Sequence, residues 1–281
     1  MRSTAVIALL ALALLLPRSA AAWGDRTHPA LTRLALETLG GGCAEYFVPH
    51  ADLLARKSFE PDTVLRRREG REEEIRHFIN LDAYMPPPFT SFPRDYREAV
   101  QRFGKRKVEG SGVVPWVIVR VQRELGQALA GGDRDAALRK AAYLSHYVAD
   151  SFQPLHLTAD YDGKRSGNAG VHSRYENDYV DRAIKDLVSA VRPTLTRAAP
   201  AADLRNAVFD AMFGSYAGVE TILRADARAR AASKHDSRAY RQFMEAETGD
   251  LTRRQLRDAA QLLGAAWARA CAEAGLWRAE P

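Results

Sequence analysis

The chain has 281 residues, a formal net charge of +6 and 46% hydrophobic residues. That length suits one domain with a real core, and no repeat or low-complexity tail is evident. Past residue 22 no stretch is apolar enough to span a bilayer, and the basic balance, which suits anionic substrates or surfaces, is spread along the chain.

The first segment reads as an export signal. Arg2 supplies a positive start, Ala5 to Leu16 is an unbroken apolar run, Pro17 and Ser19 break it, and Ala20-Ala21-Ala22 offers small residues for cleavage. The run is too short for a membrane helix, which needs roughly 20 residues. Cleavage after Ala22 would leave residues 23–281 as a secreted or periplasmic chain that begins at Trp23. A free α-amine has a reference pKa of roughly 8, so the new terminus would be available to a metal.

From there the pattern is helical. Leu31, Leu34, Ala35 and Leu39 recur at three- and four-residue steps, as do Val117, Val121, Leu125 and Leu129. The stretch Ala136 to Phe152 predicts a long buried helix, and further helices are predicted over 172–190, 202–217, 219–232, 236–247 and 251–275. Gly40-Gly41-Gly42, Gly131-Gly132 and Pro193 punctuate them. Met85-Pro86-Pro87-Pro88 and residues 158–170 are expected as loops. Alternating strand-like runs are nearly absent, so the fold class is all-α: a single-domain multi-helix bundle. Cys43 and Cys271 lie near opposite ends of it. An exported chain permits their pairing, and sequence does not show whether they are within reach.

Five of the seven histidines fall into a pattern that chemistry can use. His146 and Asp150 are four apart, so a helix presents imidazole and carboxylate on one face, and His172 and Glu176 repeat the spacing. His156 follows Pro154, which should bend the chain away from the preceding helix axis. One such pair is commonly a buried hydrogen-bonded couple; two pairs and a further histidine in one stretch point to metal. His77 ends a charged helical segment, Asp62 follows Pro61 where a helix can start, and His28 follows Trp23 by five residues. His50 and His235 lack such neighbours and read as ordinary surface or packing histidines.

These motifs resemble the secreted bacterial zinc-dependent phospholipases C and the related single-strand-specific nucleases. The resemblance runs as an ordered series through the chain from Trp23 and is strongest from Leu144 to Asp186, with Ser145-His146-Tyr147-Val148-Ala149-Asp150, Gln153-Pro154-Leu155-His156 and His172-Ser173-Arg174-Tyr175-Glu176. The last motif, with Val180-Asp181 after it, is similar to the phospholipase branch, where nucleases commonly carry Asp as the final ligand. The resemblance implies a helical fold around three zinc ions. Asp62, His77, His146 and Asp150 would hold the first, and His156, His172 and Glu176 the second. The Trp23 amine and carbonyl, His28 and a shared Asp150 would hold the third.

The implied reaction is hydrolysis of a phosphodiester by zinc-activated water, with Asp62 both ligand and the group that orients or deprotonates the nucleophile. The expected substrate is a phospholipid, with transient contact to a membrane surface and a monomeric chain; the alternative is single-stranded nucleic acid. Choline-recognising residues do not carry over, because Arg26, Thr63 and Glu74 stand where an acid and two aromatics are expected. Phe78 agrees with the nuclease pattern and could stack on a base, while Asn80 stands where nucleases often have a base-reading Asp. Tyr84 and the loop Pro86–Phe92 are weaker candidates for a substrate rim. A third reading is a zinc-stabilised binding protein without turnover, whose mark would be a lost ligand or a filled water site.

Overall fold

In the computed structural model, residues 23–234 and 236–277 are described; the expected signal segment 1–22, His235 and residues 278–281 lie outside them. The described residues form one helical domain with no strand among them. Its centre is a pair of helices, α8 (Val114–Ala130) and α9 (Arg134–Ser151). Val117, Val121, Leu125 and Leu129 are all buried, as their spacing requires. Gly132, with φ +70°, makes the turn between the two helices, and the Asp133 carboxylate caps α9 by accepting from the Ala136 N–H at 3.0 Å. From Leu144 to Ser151 every residue of α9 is buried, so polar residues there face protein and not water.

Around this pair sit α1 (Thr27–Glu37), α2 (Gly41–Phe47) and α3 (Ala51–Lys57). The charged stretch before His77 is two short helices, α4 (Arg66–Glu69) and α5 (Arg71–Glu74), because Gly70 at φ +57° breaks it. Next come α6 (Tyr96–Phe103) and α7 (Lys105–Gly110). The 172–190 helix runs from α10 (Val171–Ser173) through a π-helical turn, Arg174–Val180, into α11 (Asp181–Val191). The bundle is completed by α12 (Leu204–Tyr216), α13 (Val219–Ser233) and α14 (Ser237–Glu273).

One expectation needs correction. The helices at 236–247 and 251–275 are one, the 37-residue α14. Gly249 does not end it: glycine costs about 1 kcal/mol in a helix interior, and Glu245 and Arg253 pair across its bare Cα. The loop Pro86–Phe92 exposes its prolines and turns its aromatics inward. Phe89 and Phe92 are buried against Phe213, and Tyr84 packs on Phe92 and Phe103.

Cys43 and Cys271 form a disulfide with Cα atoms 5.8 Å apart, joining α2 to the end of α14 across 228 residues of sequence. Replacing both cysteines by alanine is expected to cost about 2–5 kcal/mol, because so long a loop is constrained in the unfolded chain. A urea midpoint unchanged by the double replacement would show that the bridge contributes nothing.

Candidate metal centre

In the C-terminal third of α9, one turn of helix places His146 and Asp150 on one face, as their spacing predicts. Three further segments converge on them. Pro61 opens a π-helical turn, Pro61–Leu65, that carries Asp62. His77 follows the end of α5, and His28 lies in the first turn of α1. The Asp62, His77, His146, Asp150 and His28 side chains are all essentially buried. On the other side, Gln153 caps the short turn Pro154–Leu157 through its side chain, which turns His156 away from the α9 axis toward His172 and Glu176. The π-helical turn at Arg174–Val180 carries Glu176; single π turns recur at functional sites because they re-aim side chains within a helix.

The result is three groups able to hold a metal ion: Asp62 with His77 and His146, His28 with His146 and Asp150, and His156 with His172 and Glu176. In the first, His77 Nδ1 is 2.9 Å from His146 Nε2, 3.0 Å from Asp150 Oδ2 and 3.5 Å from Asp62 Oδ1. In the second, His28 Nε2 is 3.5 Å from Asp150 Oδ1, and the His28 ring stacks on His146 at 3.9 Å. Asp150 thus turns one oxygen to each group. In the third, the Nε2 atoms of His156 and His172 are 2.9 Å apart, and Glu176 Oε1 is 3.3 Å and 2.9 Å from them.

Polar contacts behind the rings decide which nitrogen faces inward. His146 Nδ1 donates to the Ser58 carbonyl at 2.7 Å and His156 Nδ1 to the His77 carbonyl at 2.8 Å. His77 Nε2 lies 3.2 Å from the buried Glu73 carboxylate. With those nitrogens protonated, the neutral rings aim bare lone pairs inward, and in the first group two of them oppose each other at 2.9 Å beside two carboxylates. Such an arrangement needs a positive charge at its centre. Burial opposes charge on His77, yet Asp62, Asp150 and Glu73 outweigh burial and raise its pKa to about 9, so a proton takes that place when no metal does. Burial and His146 push His28 the other way, well below the usual range, and it stays neutral. Burial raises Asp62, whereas for Asp150 the histidines around it overcome burial and hold it well below the usual carboxylate range.

The donor set fits divalent metal. Bonds of 2.0–2.2 Å in a tetrahedron put ligand atoms about 3.3 Å apart, and the separations above bracket that. Both His28 ring nitrogens, both Asp62 oxygens, Asp150 Oδ1, His172 Nδ1 and Glu176 Oε2 are buried without a hydrogen-bond partner. Native proteins rarely strand polar atoms in this way unless an ion or water serves them.

Trp23 is fixed by its indole. The ring is buried against Tyr175, and its N–H donates at 2.8 Å to the carbonyl of Ala149, the residue before Asp150. Phe78 and Asn80 follow His77 but belong to none of the three groups. Phe78 is half-buried beside Gly112, where a Cβ would fall 2.2 Å from the Phe78 carbonyl, and the Asn80 N–H donates to the Ser111 carbonyl at 2.7 Å. His50, half-buried beside Arg134, is likewise outside the site.

Several residues were not singled out by the sequence. Glu73 backs His77 and is itself gripped by the Tyr147 hydroxyl at 2.5 Å and by Arg76 at 2.6 Å; its signal was the four-residue step to His77. Gln153 donates to Glu176 Oε1 at 2.6 Å. Arg66 lies 3.1 Å from Asp62 Oδ1, one helical turn on. Tyr161, 46% exposed, stands edge-on to His172 with ring centres 5.6 Å apart.

Asp181 holds the turn that presents His28. It accepts from the Thr27 N–H at 3.0 Å, the Thr27 hydroxyl at 2.5 Å and the Arg26 N–H at 3.3 Å; burial nonetheless raises its pKa to about 6. Gly24 makes room for it, since a Cβ there would fall 1.9 Å from Asp181 Oδ2. Gly24→Ala or Asp181→Ala is therefore expected to weaken one metal ion by about 10- to 100-fold and spare the others. Competition titration with a chelating dye reads this, and unchanged affinity for every ion would show that the turn does not position His28.

No family model matches the chain, and no curated protein matches it. The fold and the site by themselves define an all-helical protein with three buried His/carboxylate groups that could hold metal ions.

Proposed function

We propose that this chain is an exported, zinc-dependent phosphodiester hydrolase, phospholipase C-like, with three zinc ions. The observation that carries the reading is the convergence just described. Imidazoles locked from behind by Ser58, Glu73 and the His77 carbonyl turn their free nitrogens toward buried carboxylates in adjoining groups. The ordered motif series from Trp23 to Glu176 supplies the identity of the metal and the reaction.

Bound zinc would supply Lewis acidity and offset the charge that builds on phosphate oxygens at a five-coordinate phosphorus. The rest is the work of this chain's own groups. Asp62 orients the attacking water and takes its proton while the water oxygen bonds to phosphorus in line with the departing alkoxide. Arg66, beside Asp62, is placed to receive a non-bridging phosphate oxygen. Asp150 fixes the separation of the two groups it joins, and Tyr161 stands at the edge of the third.

The single-strand nuclease is kept as a second reading. What favours it is the loss of a choline cage at Arg26, Thr63 and Glu74 together with half-buried Phe78 next to His77. The deciding experiment uses the chain from Trp23 with zinc, assayed in parallel on phospholipid vesicles and single-stranded oligonucleotides. Release of phosphorylated headgroups is the expected result. Cleavage of the oligonucleotide alone would move the assignment to the nuclease. Turnover of neither class at full zinc occupancy would leave a zinc-stabilised binding protein and refute the proposal.

A further inference from the structure

Arg174 opens the π-helical turn that carries Glu176 and stands two residues after His172. Its guanidinium reaches α13. There Nε donates to Asp226 Oδ1 at 2.8 Å and Nη2 to Asp226 Oδ2 at 2.6 Å, a two-pronged pair. Asp226 is fully buried, and its Oδ1 also accepts from the Tyr240 hydroxyl of α14 at 2.8 Å. The same guanidinium reaches back to the loop before His172. Nη1 donates to the Ala169 carbonyl at 2.9 Å and Nη2 to the Asn168 carbonyl at 3.1 Å. Asn168 is tied to α13 a second time, since its side-chain amide donates to the Leu223 carbonyl at 2.6 Å. Gly170 leaves room for the guanidinium, because a Cβ there would fall 2.7 Å from Nη1. The chain on both sides of His172 is thus pinned to α13 through one side chain.

That pinning matters more to His172 than to the residues it faces. His156 is fixed by the hydrogen bond from its Nδ1 to the His77 carbonyl, and Glu176 by Gln153 at 2.6 Å. His172 has no such support. Its Nε2 faces His156 and Glu176, while its Nδ1 is buried with no hydrogen-bond partner among the described residues. Metal-binding imidazoles are usually oriented by a hydrogen bond from the second ring nitrogen. A ring without one takes its place from its backbone, and here the backbone is the end of the 158–170 loop. Arginine suits the task because its flat, branched donor array meets a carboxylate and two carbonyls at once. The lysine ammonium is a single point charge, which can face Asp226 but not span all three.

We propose that Arg174, seated on Asp226, is a positioning residue for the metal group of His156, His172 and Glu176: it sets the place of His172 and so the affinity of the ion held there. The inference rests on the zinc reading above, and its test reads metal rather than turnover. Protein stripped by chelator would be titrated with zinc against a chelating dye. The wild type would be compared with Arg174→Lys and with the Arg174→Gln, Asp226→Asn double variant. The lysine keeps a charge against buried Asp226, and the double variant removes both charges, so neither strands a buried carboxylate. Circular dichroism and melting of the metal-free proteins check the fold. One ion of the three is expected to bind about 10- to 100-fold more weakly in each variant, with the other two unchanged. In a His172→Ala background, which already lacks the ring, adding Arg174→Lys should change no affinity further. Wild-type affinity for every ion in both variants would overturn the proposal. So would an equal weakening of all three ions, or a further loss in the His172→Ala background, since either marks a role of the pair in the bundle as a whole. A protein that takes up the same number of ions, equally tightly, with and without His172→Ala would refute the zinc reading of this group and the proposal with it.

Discussion

Asp62→Asn is expected to lower phosphodiester turnover by about 100- to 10,000-fold, the usual contribution of a positioned general base, with the fold intact. Asparagine keeps the shape and one oxygen ligand but cannot take a proton from water. Folding survives because the change strands little charge. In the metal-free protein the carboxylate field on His77 weakens without Asp62, so the ring is less driven to hold a proton. Arg66, the other partner of Asp62, has its side chain 16% exposed and retains access to water. His77, His146 and Asp150 still converge, so metal affinity should fall only modestly. His146→Ala should behave differently, because His146 belongs to two of the three groups and is locked by Ser58 from behind. It should lose metal and stability together. Metal content and rate must be measured on the same samples. If Asp62→Asn keeps most of its activity at full zinc occupancy, Asp62 is a ligand only, and another group prepares the water.

Chelation is the second large effect. It should abolish activity and lower the melting temperature by on the order of 10 °C for each zinc site emptied. A site filled at a thousand times its Kd adds about 4 kcal/mol to the folded state, and a domain of this size shifts by about 2–4 °C per kcal/mol. The metal-free state carries an added cost, since the orphaned atoms of His28, Asp62, Asp150, His172 and Glu176 stay buried without partners. Calorimetry with and without chelator, alongside elemental analysis, checks both parts. The analysis should find about three zinc ions per chain, and active protein with one or none would end the trinuclear reading.

Much of the helical framework was legible because a helix is a local object. The three- and four-residue steps in α1 and α8 needed only the 3.6-residue period to predict a buried face, and the same period put His146 with Asp150 and His172 with Glu176. Helix ends were less legible. The expected interruption between 247 and 251 is absent, because the penalty of Gly249 is too small to end the 37-residue α14. Which ligands share an ion came to the sequence reading through resemblance, not spacing. Asp62, His77 and His28 lie far from α9 in sequence, and they meet it because α1, α3 and the turn at Pro61 pack there.

The sequence by itself determined a helical chain with two His/carboxylate pairs at ligand spacing and the elements that would present them. Only the tertiary structure decided that the Cys43–Cys271 pair closes, that Glu73, Ser58 and the His77 carbonyl set which ring nitrogens face inward, and that Asp181 and Gly24 hold the turn before His28. The physical reason is the same in each case. Secondary structure follows from interactions a few residues apart, whereas a tautomer or an orphaned oxygen depends on which surfaces are pressed together, and that is settled by the packing of the whole core.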